Sequence, residues 1–199
     1  MRNFQRIATG VNVTPLMLAI ARRPELWTED TFLRHYPQGP FGMVDSIMLR
    51  FPERVVFDDE DPAEQERKVA LYKANQLPGY DQHESIDQPA YARLPEARDI
   101  VMNVLAAVRG ERLGRVMINR IAPGGSIFPH PDTPEHADYY RRFHVVLQSA
   151  PGVTFRCGDE SPSWETGAVF WFNNKLEHEV INESDVDRIH LVMDARCSQ

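Results

Sequence analysis

Two histidines and one aspartate could form a metal site in this chain. His130 and Asp132 are two positions apart, and His178 follows much later. In a β-strand, side chains two positions apart point to the same face, so His130 and Asp132 can bind one ion together. Two imidazoles and one carboxylate on one side of a metal leave the other side open, which is typical of non-heme Fe(II) sites that activate dioxygen. The spacing therefore predicts an iron site.

Arg188 could hold an acidic cosubstrate beside that metal. It lies ten positions after His178, at the head of a predicted strand whose residues Ile189, Leu191 and Val192 indicate burial. A buried arginine needs a partner, and its guanidinium matches a carboxylate with two hydrogen bonds. The alternative is a surface arginine paired with Asp185 or Asp187. A strand rises about 3.3 Å per residue, so the offset leaves room for a five-carbon diacid such as 2-oxoglutarate.

Four further residues have interpretations of their own. Arg142 and His144 share one face of a predicted strand, where they could help to hold the cosubstrate's carboxylates; the alternative is a salt bridge on the outer face. His136 is a rival metal ligand, but it lies in a polar run without strand periodicity and is expected in a loop. Trp164 is expected to pack under a turn that Gly167 completes, without a chemical role.

The first ~110 residues mix helices and strands. Thr14 is expected to cap a short helix over 15–21, with proline at its first position. Alternation over 43–51 predicts a strand, and the acidic stretch 57–67 predicts an exposed loop that leads into a helix.

A longer helix is predicted just before the second half of the chain. Apolar residues recur at spacings of three and four from Leu94 to Val108, and Gly110 is placed to end the helix. Its apolar stripe is expected to pack outside a sheet. Residues 76–89 before it are irregular, with a turn at Pro78 and Gly79.

The second half of the chain reads as short strands separated by glycine, proline and asparagine turns. The predicted strands are 115–121, 140–148, 153–157, 168–172, 178–182 and 188–194. This pattern predicts a mainly β fold with flanking helices, a double-stranded β-helix or jelly roll. We expect a single domain over 1–199, with a mixed part at about 1–112 and the β-helix core at about 113–196.

The composition indicates which binding partners and which cellular compartment to expect. The chain has 199 residues, 42% of them hydrophobic, and a net charge of −7. A basic surface is the usual sign of nucleic-acid binding, so no nucleic-acid partner is expected. No apolar run approaches the ~20 residues of a membrane span. Cys157 and Cys197 fit two unrelated thiols in a reducing compartment, so a cytoplasmic protein is expected.

Several motifs resemble the aspartyl/asparaginyl β-hydroxylase family of 2-oxoglutarate-dependent oxygenases. The resemblance covers roughly 116–194, and its motifs keep the family's order and spacing. They are Asn119 to His130 (NRIAPGGSIFPH), Arg142 to His144, Trp164 to Gly167, Leu176 to Asn182, and Asp187 with Arg188.

The resemblance assigns roles to several residues. It implies that His130 and His178 bind iron, and that Arg142, His144 and Arg188 contact 2-oxoglutarate. Asn119 stands where the family often has a serine near the cosubstrate. The animal hydroxylase that names the family has glycine where this chain has Asp132, so the metal triad is complete here, and the animal enzyme's substrate is less safely transferred.

These observations together predict an Fe(II)- and 2-oxoglutarate-dependent dioxygenase. It would use O2 to hydroxylate an unactivated carbon of an amino acid, free or in a peptide, and release succinate and CO2. The amino-acid substrate rests on the resemblance alone. The alternative is a cupin-like barrel that binds a metal or small ligand without oxygenase activity. His83 and Arg50 are candidates for substrate contact, each with a plain surface position as the alternative.

Overall fold

The protein is built from two antiparallel sheets that pack face to face, flanked by helices. The computed structural model describes residues 2–35, 39–55 and 61–198. The strands in these ranges are β1 (Phe4–Ala8), β2 (Val44–Phe51), β3 (Ile86–Asp87), β4 (Gly110–Ile121), β5 (Ser126–His130), β6 (Arg141–Gln148), β7 (Val153–Cys157), β8 (Val169–Phe172), β9 (His178–Asn182) and β10 (Arg188–Cys197). The helices are α1 (Thr14–Ala21), α2 (Leu26–Glu29), α3 (Pro62–Lys73), α4 (Pro89–Arg93), α5 (Pro95–Ala107) and α6 (Pro134–Tyr139).

The sheet order explains how residues distant in sequence meet. The larger sheet runs β1-β8-β6-β10-β4-β2-β3, and the smaller runs β5-β9-β7. Aromatic and aliphatic side chains from both sheets fill the space between them, including Phe4, Phe155, Phe170 and Val180. Burial of each large apolar side chain stabilises the fold by roughly 1.5–3 kcal/mol. The predicted double-stranded β-helix is confirmed.

Helices cover the outer face of the larger sheet. The apolar stripe of α5 packs with α1 against outward-facing residues of the central strands, such as Ile118 and Leu191. Strand β10 is therefore buried on both faces, with Ile189 and Leu191 toward the helices and His190 and Asp194 toward the other sheet. Within the described ranges, no helix combines the length and apolar character needed to cross a bilayer.

Most predicted strands are present within a few residues of their expected bounds, but three strands were not predicted, namely β1, β3 and β5. β1 pairs with β8 at the edge of the larger sheet, and β5 pairs with β9 in the smaller one. Both are five residues long and lack clear alternation, since β1 is buried mainly at Phe4 and β5 contains Pro129. Short strands of this kind are defined by their partners rather than by their own pattern.

Two predicted helix ends were wrong. Thr14 is not the cap of α1 but its first residue, and its backbone N–H donates to the Asn12 side chain at 3.2 Å. The turn after α5 is made by Arg109, which has a φ of 54°, while Gly110 is the first residue of β4. A Cβ at Gly110 would lie 2.2 Å from Cδ1 of Leu105, so a larger residue there would require the Leu105 side chain to move.

The acidic stretch is only partly described, since 56–60 lie outside the described residues. Asp61 caps α3 by accepting a hydrogen bond from the Ala63 N–H at 3.0 Å. The region 76–89 is irregular apart from β3, which pairs with the end of β2. The expected division of the chain near residue 112 stays a prediction; β1 and β2, from the first part, join the larger sheet.

Candidate active site

His130, Asp132 and His178 come together at one end of the space between the sheets. His130 lies directly opposite His178 in the β5–β9 pair, and Asp132 follows two residues after the end of β5. One potential ligand atom from each of the three residues lies within 4.8 Å of the others, which a single metal ion can bridge. The pairing of β5 with β9 thus brings together residues that the sequence separates by more than 40 positions.

Backbone carbonyls orient both imidazoles. Nδ1 of His130 lies 2.7 Å from the Phe128 carbonyl oxygen, and Nδ1 of His178 lies 2.9 Å from that of Leu176. Each Nδ1–H donates to its carbonyl, which leaves Nε2 as the lone-pair donor for a metal. Burial lowers the pKa of His178 to about 4, so that ring is neutral at physiological pH, as a metal ligand must be.

Asp132 offers one free carboxylate oxygen. Its Oδ2 forms an ion pair with Arg142 Nη1 at 2.7 Å and accepts a hydrogen bond from Asn174 Nδ2 at 2.7 Å. Its Oδ1 lies 4.0 Å from His178 Nε2, too far for a hydrogen bond but compatible with two ligands of one ion. Burial opposes ionisation of Asp132, but Arg142, His178 and Asn174 outweigh it and lower its pKa. The donor set therefore fits Fe(II) with Oδ1 as the carboxylate ligand.

Arg142 joins the triad to a second buried carboxylate. Its guanidinium binds both oxygens of Asp194, with Nε to Oδ1 at 2.8 Å and Nη2 to Oδ2 at 3.0 Å. His136 Nε2 also lies 2.8 Å from Asp194 Oδ2. Despite burial, Arg142 and His136 hold the pKa of Asp194 well below its usual range.

His136 therefore has a different environment from the one predicted. It lies in α6 and is buried, not exposed in a loop, because its ring packs beside Tyr140 and bonds to Asp194. It is also not among the residues whose ligand atoms cluster at the candidate metal site.

Arg188 is a buried charge at the head of β10. It is only 1% exposed, and its Nε and Nη2 have no hydrogen-bond partner among the described residues. The alternative of a surface arginine paired with Asp185 or Asp187 was wrong. Arg188 is buried, and Oδ2 of Asp187 lies 3.9 Å from Nη1 of Arg120 instead. Burial lowers the pKa of Arg188 to about 9, which still leaves it charged at neutral pH. A buried cation of this kind is available to bind an anion.

His144 and Asn119 lie on the same interior face as Arg188. The His144 ring stacks on Phe170 at 5.2 Å, and its Nδ1 lies 3.2 Å from Nδ1 of His190. Burial, with Arg188 next, lowers the pKa of His144 well below the usual range, so this ring is neutral rather than cationic. Asn119 accepts a hydrogen bond from Ser46 at 2.8 Å and lies opposite His190 across the β4–β10 pair.

The two candidates for substrate contact have protein partners of their own. Arg50 pairs with Asp87 and donates to the Ser85 carbonyl. His83 stacks on Tyr139 with ring centroids 3.9 Å apart. Neither residue belongs to the cluster of potential metal ligands.

Sequence reasoning missed several residues of the site. Asn174 was interpreted only as part of a turn, and Asp194 and His190 only as strand residues. Alternation along β10 was the available signal, because it places His190 and Asp194 on the same face as Arg188. Trp164 packs on Phe170 as a structural residue would, with centroids 4.1 Å apart, but it also lines a small cavity together with Arg188 and His190.

A family model described as aspartyl/asparaginyl beta-hydroxylase matches residues 50–197, well over half of the chain. The chain belongs to the aspartyl/asparaginyl β-hydroxylase family. This confirms the predicted family. The proteins named aspartyl/asparaginyl beta-hydroxylase from Homo sapiens and Mus musculus are each 28% identical to it over 85 residues. That segment is 43% of this chain but only 11% of each relative.

Solved structures with similar folds include oxygenases and hydroxylases. A 2OG-Fe(II) oxygenase family protein from Burkholderia pseudomallei is 19% identical, with a TM-score of 0.45, and the match covers 87% of this chain and 78% of that one. The viral collagen prolyl hydroxylase of Paramecium Bursaria Chlorella virus-1 is 11% identical, with a TM-score of 0.49 and coverage of 99% and 97%.

Proposed function

We propose that this protein hydroxylates an unactivated carbon of an amino acid, free or within a peptide, with release of succinate and CO2. One observation carries the proposal: a His-Asp-His cluster and a buried arginine without a partner share the interior of one barrel. A metal alone would not explain Arg188. A metal-chelating acid with a second carboxylate explains both features, and 2-oxoglutarate is such an acid.

In this proposal the chain's residues bind and orient. Nε2 of His130, Nε2 of His178 and Oδ1 of Asp132 would hold Fe(II), which when bound supplies the activation of dioxygen. Arg188 would bind the distal carboxylate of 2-oxoglutarate, with Asn119, Arg142 and His144 as the other predicted cosubstrate contacts. Arg142 already holds Asp132 and Asp194, so its support of the metal ligand accompanies any contact with the cosubstrate.

The test is succinate formation from 2-oxoglutarate in the presence of Fe(II), ascorbate and candidate amino acids. Asp132→Ala should abolish turnover because it removes a metal ligand. Arg188→Met should weaken 2-oxoglutarate binding by about tenfold or more, because a charged hydrogen bond is worth roughly 1.5–3 kcal/mol. Mass spectrometry should find the substrate heavier by one oxygen atom.

Two exposed residues provide matched controls. Asp138→Ala removes a surface carboxylate that pairs with Lys175, and Arg196→Met removes an exposed arginine from the same strand as Arg188. Both should leave succinate formation unchanged. Full activity in Asp132→Ala, or unchanged affinity in Arg188→Met, would contradict the proposal and favour a barrel that binds a metal or ligand for another purpose.

The expected substrate class and location belong to the same proposal. An amino acid or peptide is supported by the family, and a cytoplasmic location is supported by the two cysteines, Cys157 and Cys197, which are both free thiols.

A further inference from the structure

Unpartnered donors gather around one small cavity in the barrel interior. The cavity is lined by Arg188, His190 and Trp164, together with Ser149, Val153, Phe155 and Pro162. Four buried nitrogen atoms of the first three residues have no hydrogen-bond partner within the described part of the chain: Nε and Nη2 of Arg188, Nε2 of His190 and Nε1 of Trp164. Half of the buried unpartnered side-chain atoms in that part therefore belong to this one place.

These unpartnered donors destabilise the folded protein when no ligand is bound. A buried polar group without a partner costs roughly 1–3 kcal/mol. The two carboxylate groups that lie in the interior, Asp132 and Asp194, are already held by Arg142 and their other partners. The described residues therefore leave these donors without an acceptor.

We propose that Trp164 and His190 act with Arg188 as the binding site for the distal carboxylate of 2-oxoglutarate. A carboxylate has two oxygens that accept about four hydrogen bonds, which matches the four donor atoms. The remaining lining residues are mostly apolar, so they add contact with the methylene groups. This inference rests on the proposed function and adds two residues to its cosubstrate site.

His144 has a positioning role in this site through a single shared proton. The two rings face each other through Nδ1 atoms 3.2 Å apart, so one Nδ1 must donate and the other must accept. When His144 donates, the proton of neutral His190 lies on Nε2, where it can reach the carboxylate. The opposite arrangement would turn a lone pair of His190 toward the anion. The cosubstrate therefore selects the first arrangement.

Trp164→Phe is the sharpest test, because it removes one N–H and keeps the ring that stacks on Phe170. With Mn(II) in place of iron and no oxygen, calorimetry should show 2-oxoglutarate binding weakened by about fivefold to tenfold. His190→Leu should weaken it similarly, and His190→Gln should recover part of the loss through its amide N–H. Trp171→Phe is the matched control, since Trp171 packs against the helix-covered core.

A second ligand shows whether the variants weaken binding because they lack hydrogen-bond donors or because the cavity has changed shape. 2-Oxopentanoate keeps the metal-chelating end of 2-oxoglutarate but ends in a methyl group. Its affinity should be the same in Trp164→Phe, His190→Leu and wild type. Equal weakening for both ligands would show that these variants only damage the cavity, and would overturn the inference.

Nitrogen NMR of the histidine rings tests the shared proton. In the 2-oxoglutarate complex, His190 should carry its proton on Nε2 and His144 on Nδ1. A His190 protonated on Nδ1 would overturn the positioning role. If wild type binds 2-oxoglutarate and the two variants bind it equally well, only this inference fails. If wild type with Mn(II) binds no 2-oxoglutarate, the proposed function fails with it.

Discussion

Two buried arginines in one barrel differ in almost every respect except their burial. Arg142 is surrounded by carboxylates, and Asp132 and Asp194 raise its pKa above the usual value despite burial. Arg188 has no carboxylate partner among the described residues, and burial alone lowers its pKa. The first charge is satisfied by folding, whereas the second would gain a partner only in the proposed complex with 2-oxoglutarate. The proposed function therefore assigns Arg142 a structural role and Arg188 a ligand-binding role.

The largest effect is expected from removing the satisfied arginine. Arg142→Met removes the guanidinium that pairs with the buried carboxylates of Asp132 and Asp194, and breaking a buried ion pair costs about 3–5 kcal/mol. The free energy of unfolding, measured in urea on the metal-free protein, should fall by that amount. A loss below about 1 kcal/mol would show that Arg142 is not a structural cation, and the comparison would fail.

An intermediate effect on the free energy of unfolding is expected at low pH, because His144 and His190 are buried in their neutral forms. Burial lowers the pKa of both His144 and His190 well below the usual value. As pH falls below about 6.5, the unfolded chain binds protons that the folded protein does not, so stability present above that pH is lost. Each ring contributes up to about 1.4 kcal/mol per pH unit.

The slope is measured from urea unfolding of the metal-free protein between pH 8 and pH 5. His144→Phe keeps an aromatic ring against Phe170. It should reduce the slope of the unfolding free energy against pH by the amount that one fewer proton taken up on unfolding gives. His35→Asn, at an exposed position, should leave the slope unchanged. An identical slope in His144→Phe and wild type would contradict the neutral, buried state of this ring.

The smallest expected effect is an increase in the free energy of unfolding. Arg188→Met replaces an unpaired buried charge with an apolar side chain of similar size, which should raise the free energy of unfolding by about 1–2 kcal/mol in the absence of cosubstrate. Added 2-oxoglutarate with Mn(II) should stabilise wild type more than this variant. Destabilisation by the substitution would mean that Arg188 has partners in the folded protein and would remove the contrast with Arg142.

The sequence predicted the parts of the site that depend on short spacing. The interior position of Arg188 follows from alternation, and the jelly roll follows from the succession of short strands. The strand expected to carry both His130 and Asp132 ends at His130, so alternation does not place Asp132. The bonds from Asn174 to Asp132 and from Arg142 to Asp194 depend on which strands are neighbours, which periodicity cannot give. His136 was placed in a loop because its six-residue helix is too short to show a period.

Asn174 holds Asp132 twice, through its backbone oxygen to the Asp132 N–H at 2.9 Å and through its amide to Oδ2 at 2.7 Å. The segment before His178 is thereby fastened to the segment after His130, and the two histidines are already fixed by strand pairing. Ordering of the three ligands is completed when the chain folds and not when the ion arrives. If the three residues bind a metal ion as proposed, exchange of that ion would not require the chain to refold.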